Sequence, residues 1–536
     1  HRDLHSFPTR RSSDLTSGQA QLTFANRPGQ EGAVLNGRLE FSNLTANSGG
    51  RQVAWKQPIS LALAAKETAQ GPVIETFKCE STFLRIQVSG TPSQLTGTAT
   101  FDAGKLAEQS RGFVDLGGTR LDGHVSAELT LKRTADGAFD ANAKLRLNGF
   151  QFALPERPAW TEDALSLTVS ATGQSNASGP TRLNTAVVKM ESGSDLVETR
   201  LLEPVADFRG SGPWQVELHS RGQLTRWPGR LAWWLPSKTW SAQGSYDLVA
   251  GATLSGTALA IRQARLTAQT LEIAGPKVVA REPRLEMSLT GRCDWASRRL
   301  ELENATLASS TIAVQATRFI CSLPPRGPVE LTGSLVGQAA LDRVRALATL
   351  DAKAPPAWSL GGRLVGRAEF KQSGGLVTGH VDGQITDLDI VHKSGQRFQD
   401  RDVRFVAQGN YNDASRLVHI EQAEFTSATL KCSLAGKIAE LNTQPDLQLS
   451  GRIDYDMERL SLFVRSLVGE GFRLAGRGSS PIAYQGVWGS DKAVATGKLG
   501  WSWAQVYGFQ LGAGELQASL TKGLLDVQPL TAIMIV

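Results

Sequence analysis

Apolar and polar residues alternate with a period of two along much of the chain. In 124–148, HVSAELTLKRTADGAFDANAKLRLN, the apolar Val125, Ala127, Leu129 and Leu131 are separated by Ser126, Glu128 and Thr130. A turn at Ala135-Asp136-Gly137 follows, and then Phe139, Ala141, Ala143, Leu145 and Leu147 alternate with Asp140, Asn142, Lys144 and Arg146. Successive side chains of a strand point to opposite faces, so this stretch predicts a long hairpin with one apolar and one polar face. The pattern recurs at 37–44 and at 284–307, where Leu285, Met287 and Leu289 answer Leu300 and Leu302. It returns at 429–441, with Leu430, Cys432 and Leu434. The 54 glycines, many inside these runs, imply strands that twist and bend. Helical periodicity is scarce. The expected class is mostly β: a long antiparallel sheet of repeated units curled into a groove.

Four stretches interrupt the alternation with a short helical pattern, near 103–114, 226–235, 341–350 and 456–468. A basic residue followed by an apolar one marks each: Lys105-Leu106, Arg230-Leu231, Arg343-Val344 and Arg459-Leu460, at spacings of 125, 113 and 116 residues. A strand glycine (Gly97, Gly222, Gly333, Gly451) precedes each mark by eight to ten residues. Such a period predicts a quasi-linear array, each unit holding several strands and one helix. The helices carry apolar stripes (Leu106, Phe113, Val114; Leu460, Phe463, Val464, Leu467) that suit packing on a sheet. The tryptophans Trp227, Trp233, Trp234 and Trp240 are expected in a β core.

A sheet with one apolar face must hide that face, since hundreds of square ångströms of exposed apolar surface are not sustainable in water. A sandwich closes within 100–150 residues and is then joined by linkers. No Pro/Ser-rich linker separates the units, because PPRGP at 324–328 and KAPPAW at 353–358 lie inside the pattern. A continuous curled groove accommodates both facts. The expected lining is Val125, Leu129, Leu131, Phe139, Leu145, Leu147, Leu285, Met287, Leu289, Leu430 and Leu434.

Residues 1–15, HRDLHSFPTRRSSDL, stand outside this picture. They begin like a kinase catalytic loop, but Pro8 stands where that motif needs its metal-holding Asn. Codon for codon they match a common short-read sequencing adapter, and they are set aside as a translated artefact. The native array is taken as 16–536, truncated at both ends. Without the adapter, 54 basic residues face 49 acidic ones, scattered singly, which gives no nucleic-acid face. Four cysteines lie far apart, so zinc is not expected, and Cys293 and Cys432 in apolar alternations read as buried structural thiols. No run of 18 apolar residues suggests a spanning helix.

Candidate chemistry is sparse. His124, His219, His380, His392 and His419 stand alone, with no HExxH, GxSxG or phosphate-binding glycine loop. Asp382, Asp387 and Asp389 alternate with apolar residues, as on an exposed strand face. The reading is therefore non-enzymatic, with no catalytic residue, no metal and no cofactor.

The short helices DAGKLAEQ and DMERLSLFV, each followed by glycine and new strands, together with the Leu-x-Gly strands, resemble the AsmA-like superfamily (TamB- and YhdP-type) over about 16–536. The resemblance implies a bridge-like lipid-transfer protein of the Gram-negative periplasm. It implies phospholipid acyl chains as cargo and an inner-membrane anchor helix that this fragment does not carry. Partners would be the inner and outer membranes, reached through missing segments, and other envelope proteins. A structural or adhesive surface protein is the alternative, and a glycan-active β enzyme the third.

Overall fold

The computed structural model describes residues 14–534, apart from 30–31, 49–50, 56, 70, 92, 112–117, 156, 176–180, 211, 232–240, 276–278, 324–328, 349–357, 393–396, 441–443, 462–470, 488–489, 491–492, 522–523 and 528–530. Of residues 1–15, read above as an adapter artefact, 1–13 fall outside the described part, and Asp14 and Leu15 begin the first strand. The chain divides into two units, one of residues 1–256 and 266–276 and one of 257–265 and 277–536. Both are antiparallel β structure with short helices.

The first unit holds β1 (Asp14–Gly29), β2 (Gly32–Ser48), β3 (Arg51–Trp55), β4 (Ile59–Thr68), β5 (Gly71–Glu80), β6 (Leu84–Thr91), β7 (Gln94–Asp102), α1 (Ala103–Ser110), β8 (Arg120–Arg133), β9 (Ala138–Ala153), β10 (Trp160–Gln174), β11 (Arg182–Ser192), β12 (Asp195–Leu201), β13 (Trp214–Gln223), α2 (Trp227–Arg230) and β14 (Ser241–Ser255). A 3-10 turn, Leu224–Arg226, leads into α2. Strand β15 (Ala258–Ala274) is divided between the units. The second unit continues with β16 (Val279–Asp294), β17 (Arg299–Ser309), β18 (Ile312–Ser322), β19 (Glu330–Ala340), α3 (Leu341–Ala348), β20 (Trp358–Ser373), β21 (Leu376–His392), β22 (Arg397–Asn412), β23 (Leu417–Thr426), β24 (Leu430–Ala439), β25 (Asp446–Asp456), α4 (457–461) and further strands to Met534. Among the described residues, six strands separate each helix from the next in chain order.

Within each unit the strands pair in series, as a meander. In the first, β2 to β14 follow one another, with β3 on the far end of β2. In the second, β16 to β25 do the same. The hairpin expected at 124–148 is β8–β9, in register from Val125↔Leu147 to Arg133↔Phe139.

Short helices break the meander where side chains and turn geometry support them. Asp102 caps α1, its carboxylate accepting the Lys105 N–H at 2.9 Å, and Ala103 and Ala107 press the helix onto the sheet. The helices also lean on the hairpin two strands earlier. Arg226, Arg343 and Arg459 each donate to a carbonyl of that hairpin's turn: Ser192 at 2.9 Å, Ser310 at 3.0 Å and Ala428 at 3.2 Å. With Lys105, these four are 121, 117 and 116 residues apart. Arg226 thus takes the place that sequence spacing assigns to Arg230, which does something else.

Closed apolar packing is local. Leu341 at the start of α3 is buried with Leu388 and Val403, and Met457 at the start of α4 with Tyr455, Trp501 and Ala504. All four cysteines are free and half-buried rather than buried, with burial pushing the Cys432 thiol up. Of the tryptophans singled out, Trp227 stands edge-on to Tyr246 at 5.9 Å, and the other three lie outside the described residues. So do Phe113, Val114, Phe463, Val464 and Leu467 of the helical stripes; Leu106 is half-buried.

Candidate functional site: an uncovered apolar face

Antiparallel register turns the alternation into rungs, lines of side chains that cross the sheet on one face. In the first unit one rung runs Leu39–Leu61–Cys79–Ile86–Ala99–Ala127–Leu145–Leu167–Met190–Val197. In the second, Leu289–Ala305–Ala316–Leu335–Ala368–Val381–Ala407–Ala423–Leu434 cross nine strands. No side chain in either rung is charged. Val125, Ala127, Leu129 and Leu131 mark four such rungs along β8, and six residues of strand give the strip a width of about 20 Å.

This face is not filled by a second layer in the manner of a sandwich core. Leu129 and Val188 are 44% and 39% exposed in the first unit, and Val381 is 39% exposed in the second. An open cavity of about 360 Å³ lies against Ile86, Val88, Ala127, Leu129, Leu145 and Leu167. Another, of about 250 Å³, lies against Ile312, Val314, Leu335, Leu364, Val381 and Phe405. Glycine keeps the second one smooth: the Phe405 ring lies where a Cβ on Gly383 would be, 2.4 Å from it.

The register places the expected lining residues as follows. Val125, Leu129, Leu131, Phe139, Leu145 and Leu147 share one face of β8 and β9. Leu147 is buried, Leu129 exposed and the other four half-buried. Leu285, Met287 and Leu289 share a face of β16, and Leu430 and Leu434 share a face of β24; all five are half-buried. The Met287 rung reaches Cys432 through Leu307, Val314, Gly337, Gly366, Gly383, Phe405 and Phe425.

What the alternation does not disclose is a set of acids buried on the apolar side. The backbone flips at Gly149, with φ +56, between the pairs Leu147↔Leu165 and Phe150↔Glu162. Asp387, with φ +51, does the same between Ile385↔Val403 and Leu388↔Asp400. Each flip shifts the alternation by one residue, so Glu162 is buried along with Leu165, and Asp400 along with Val403. Glu282 on β16 and Asp195 on β12 are also buried.

In the first unit the acid is neutralised by α2. Arg230 donates through Nε to Glu162 Oε1 at 2.7 Å and through Nη2 to Oε2 at 3.2 Å, while its Nη1 reaches Asp195 Oδ2 at 2.8 Å. Ser192 Oγ and Trp160 Nε1 also donate to Glu162, at 2.5 and 2.8 Å, and the Gln223 N–H donates to Asp195 at 2.7 Å. Burial pushes the Glu162 carboxyl up, but these hydrogen bonds, Arg230 foremost, outweigh it and hold the group below the usual glutamate range. Burial works against the Arg230 charge too, and Glu162 and Asp195 more than restore it. Helix backbone can approach this closely because residue 229 is glycine: a Cβ there would stand 2.3 Å from the Ala159 carbonyl oxygen.

Among the described residues, no group of three or more potential ligand side chains could hold a metal ion, and no helix is long and apolar enough to cross a membrane. The chain matches no known family model and no characterised protein.

Proposed function

We propose that the apolar strips carry lipid acyl chains, and that the protein moves phospholipid between the membranes of a Gram-negative envelope without catalysing a reaction. The observation that supports this is the combination of uncharged rungs across successive strands with partial exposure at Leu129, Val188 and Val381. A filled sandwich core or an adhesive β array has no use for such a face. Water is a poor cover for it, because each apolar methylene left in water costs about 0.8 kcal/mol. Acyl chains are the complementary cover. The strip's width of about 20 Å exceeds the roughly 15 Å that one leaflet contributes to a hydrocarbon core of about 30 Å, so a chain can lie across it. Headgroups would stay in solvent beyond the strand ends. A periplasmic place and an inner-membrane anchor belong to the same reading, through the AsmA-like resemblance.

The test is mass spectrometry of lipids that co-purify with the chain from a Gram-negative host. The expected result is stoichiometric phospholipid, with Leu129→Asp and Val381→Asp each lowering the amount severalfold. Because both side chains are already exposed, melting should hardly change. Lipid-free protein, or variants that retain as much lipid as the parent, would sink the proposal.

A further inference from the structure

The polar face of the second unit carries a cleft of about 660 Å³, within the size range of small-molecule sites. Three irregularities in strand register border it, at Thr317/Ile320, Gln408/Gly409 and Ile420/Ala423. Bulges of this kind re-aim side chains and gather beside functional sites. Arg318 sits in the first, with φ +50, a left-handed conformation that is unfavourable for an arginine.

Comparison with the sister repeats makes that arginine informative. The hairpin turns are superposable by their serines: Ser81, Ser309 and Ser427 each accept the N–H of the residue three positions on, at 3.0, 3.1 and 3.2 Å. Nine residues past each serine stand Gly90, Arg318 and Gly436, all with positive φ. Glycine stands there in two repeats, at φ +146 and +148, and Leu201 in the α2 repeat, so the arginine at φ +50 is particular to the α3 repeat.

Lys371 completes the pair of cations. It pairs in register with Thr332, one residue before Gly333. Counted by register from the same serine-marked turns, Thr332 corresponds to Gln94 and Gln448, whose partners are Lys132 and Gln485. Arg318 and the Thr332 hydroxyl are therefore particular to this repeat, while a lysine in the place of Lys371 recurs once, as Lys132. Arg318 and Lys371 lie on either side of β19, two strand spacings or about 10 Å apart at the backbone, with the Thr332 hydroxyl between them. Among the described residues neither cation makes an ion pair. Glu369, opposite Ser334 and two residues from Lys371, is engaged with Arg367, and Glu421, at the far end, accepts from Gln408 Nε2 at 2.9 Å.

The geometry points to a binding site for a phosphorylated saccharide. The phosphate would lie between Arg318 and Lys371, over the Thr332 hydroxyl, and the sugar hydroxyls would donate to Glu369 and Glu421. Glu369, beside the cations, and Glu421, beyond it, disfavour a bare anion and suit hydroxyl donors, so a cationic row adjoins an acidic one as phosphate adjoins hydroxyls in a sugar phosphate. This site lies on the opposite face from the apolar strip and stands or falls independently of lipid transfer.

Isothermal titration of the whole chain at low ionic strength, with glucose 6-phosphate, inorganic phosphate and glucose as probes, tests it. The expected order is binding of the sugar phosphate, at least tenfold weaker binding of phosphate, and none of glucose. Arg318→Gly and Lys371→Gln, each a sister-repeat residue, should weaken sugar phosphate at least tenfold. Arg318→Gly should melt no lower than the parent, since glycine relieves the left-handed strain, so lost binding cannot be ascribed to misfolding. No heat with sugar phosphate, equal affinity for inorganic phosphate, or variants that bind like the parent would each overturn the assignment.

Discussion

The beginnings of α2 and α3 occupy the same point in successive repeats, yet they are held down by opposite chemistry. Leu341 starts α3 in a buried apolar cluster with Leu388 and Val403, flanked by Leu360, Leu364 and Ile385. The corresponding region of α2 is ionic, with Arg230 6% exposed and bound to two carboxylates that are wholly buried. An apolar seat tolerates small shifts and loses stability in proportion to the area exposed. A buried ion pair is directional, and its worth depends on every partner staying in place. One helix is therefore held by area and the other by geometry.

Removing one partner from the ionic seat should have the largest effect. Arg230→Ala leaves Glu162 and Asp195 buried without their cation, and the expected loss is about 3–5 kcal/mol. Repeating units open locally, so hydrogen exchange at β10, β12 and α2 is the suitable readout. Replacing Arg230, Glu162 and Asp195 together by apolar residues of similar size should recover most of that loss. A single mutant that exchanges like the parent would show that the seat is not held by charge.

Leu341→Ala comes next, at about 2–4 kcal/mol from the lost contacts and the cavity left beside Val403. Exchange in β20 and β21 should rise while that in β10 to β12 does not. Spread of the effect into the first unit would contradict the local character of both seats.

Acid should separate the two seats more gently. The folded-state pKa of Glu162 is depressed, so its contribution is complete at neutral pH and is lost as pH falls through and below the ordinary glutamate range. Exchange at α2 should therefore accelerate on acidification before exchange at the Leu341 seat does, and the order would be reversed or absent if Arg230 were dispensable. The smallest change is expected for Arg343→Ala. It removes one exposed hydrogen bond to the Ser310 carbonyl, about 0.5–1.5 kcal/mol, detectable as slightly faster exchange at α3.

The β8–β9 hairpin was legible residue by residue, because period-two alternation is a local consequence of strand geometry. The starts of α1, α2 and α3 were also close to where the alternation fails, at Ala103, Trp227 and Leu341. The ionic seat was not legible. Glu162 lies in TEDALSL, a stretch that reads as an ordinary polar strand start, and only the left-handed Gly149 on the neighbouring strand turns it inward. A glycine inside a strand run was the available signal, but in a chain with 54 glycines it does not stand out. Spacing also put Arg230 in the repeat's basic position, where the turn contacts identify Arg226. Residues four apart with the same charge cannot be ranked without knowing what each one touches.

By itself, then, the sequence determined that the chain is antiparallel β and that Val125 through Leu147 present one apolar face, because side-chain direction along a strand depends only on position within it. Tertiary structure decided the rest: that rungs join those faces across successive strands, and that Leu129 and Val381 stay uncovered. It also decided that Glu162 and Asp400 turn inward and that Arg318 and Lys371 flank the same threonine. These are matters of register between strands and of backbone flips at single residues, and neither leaves a periodic trace in the chain that folds.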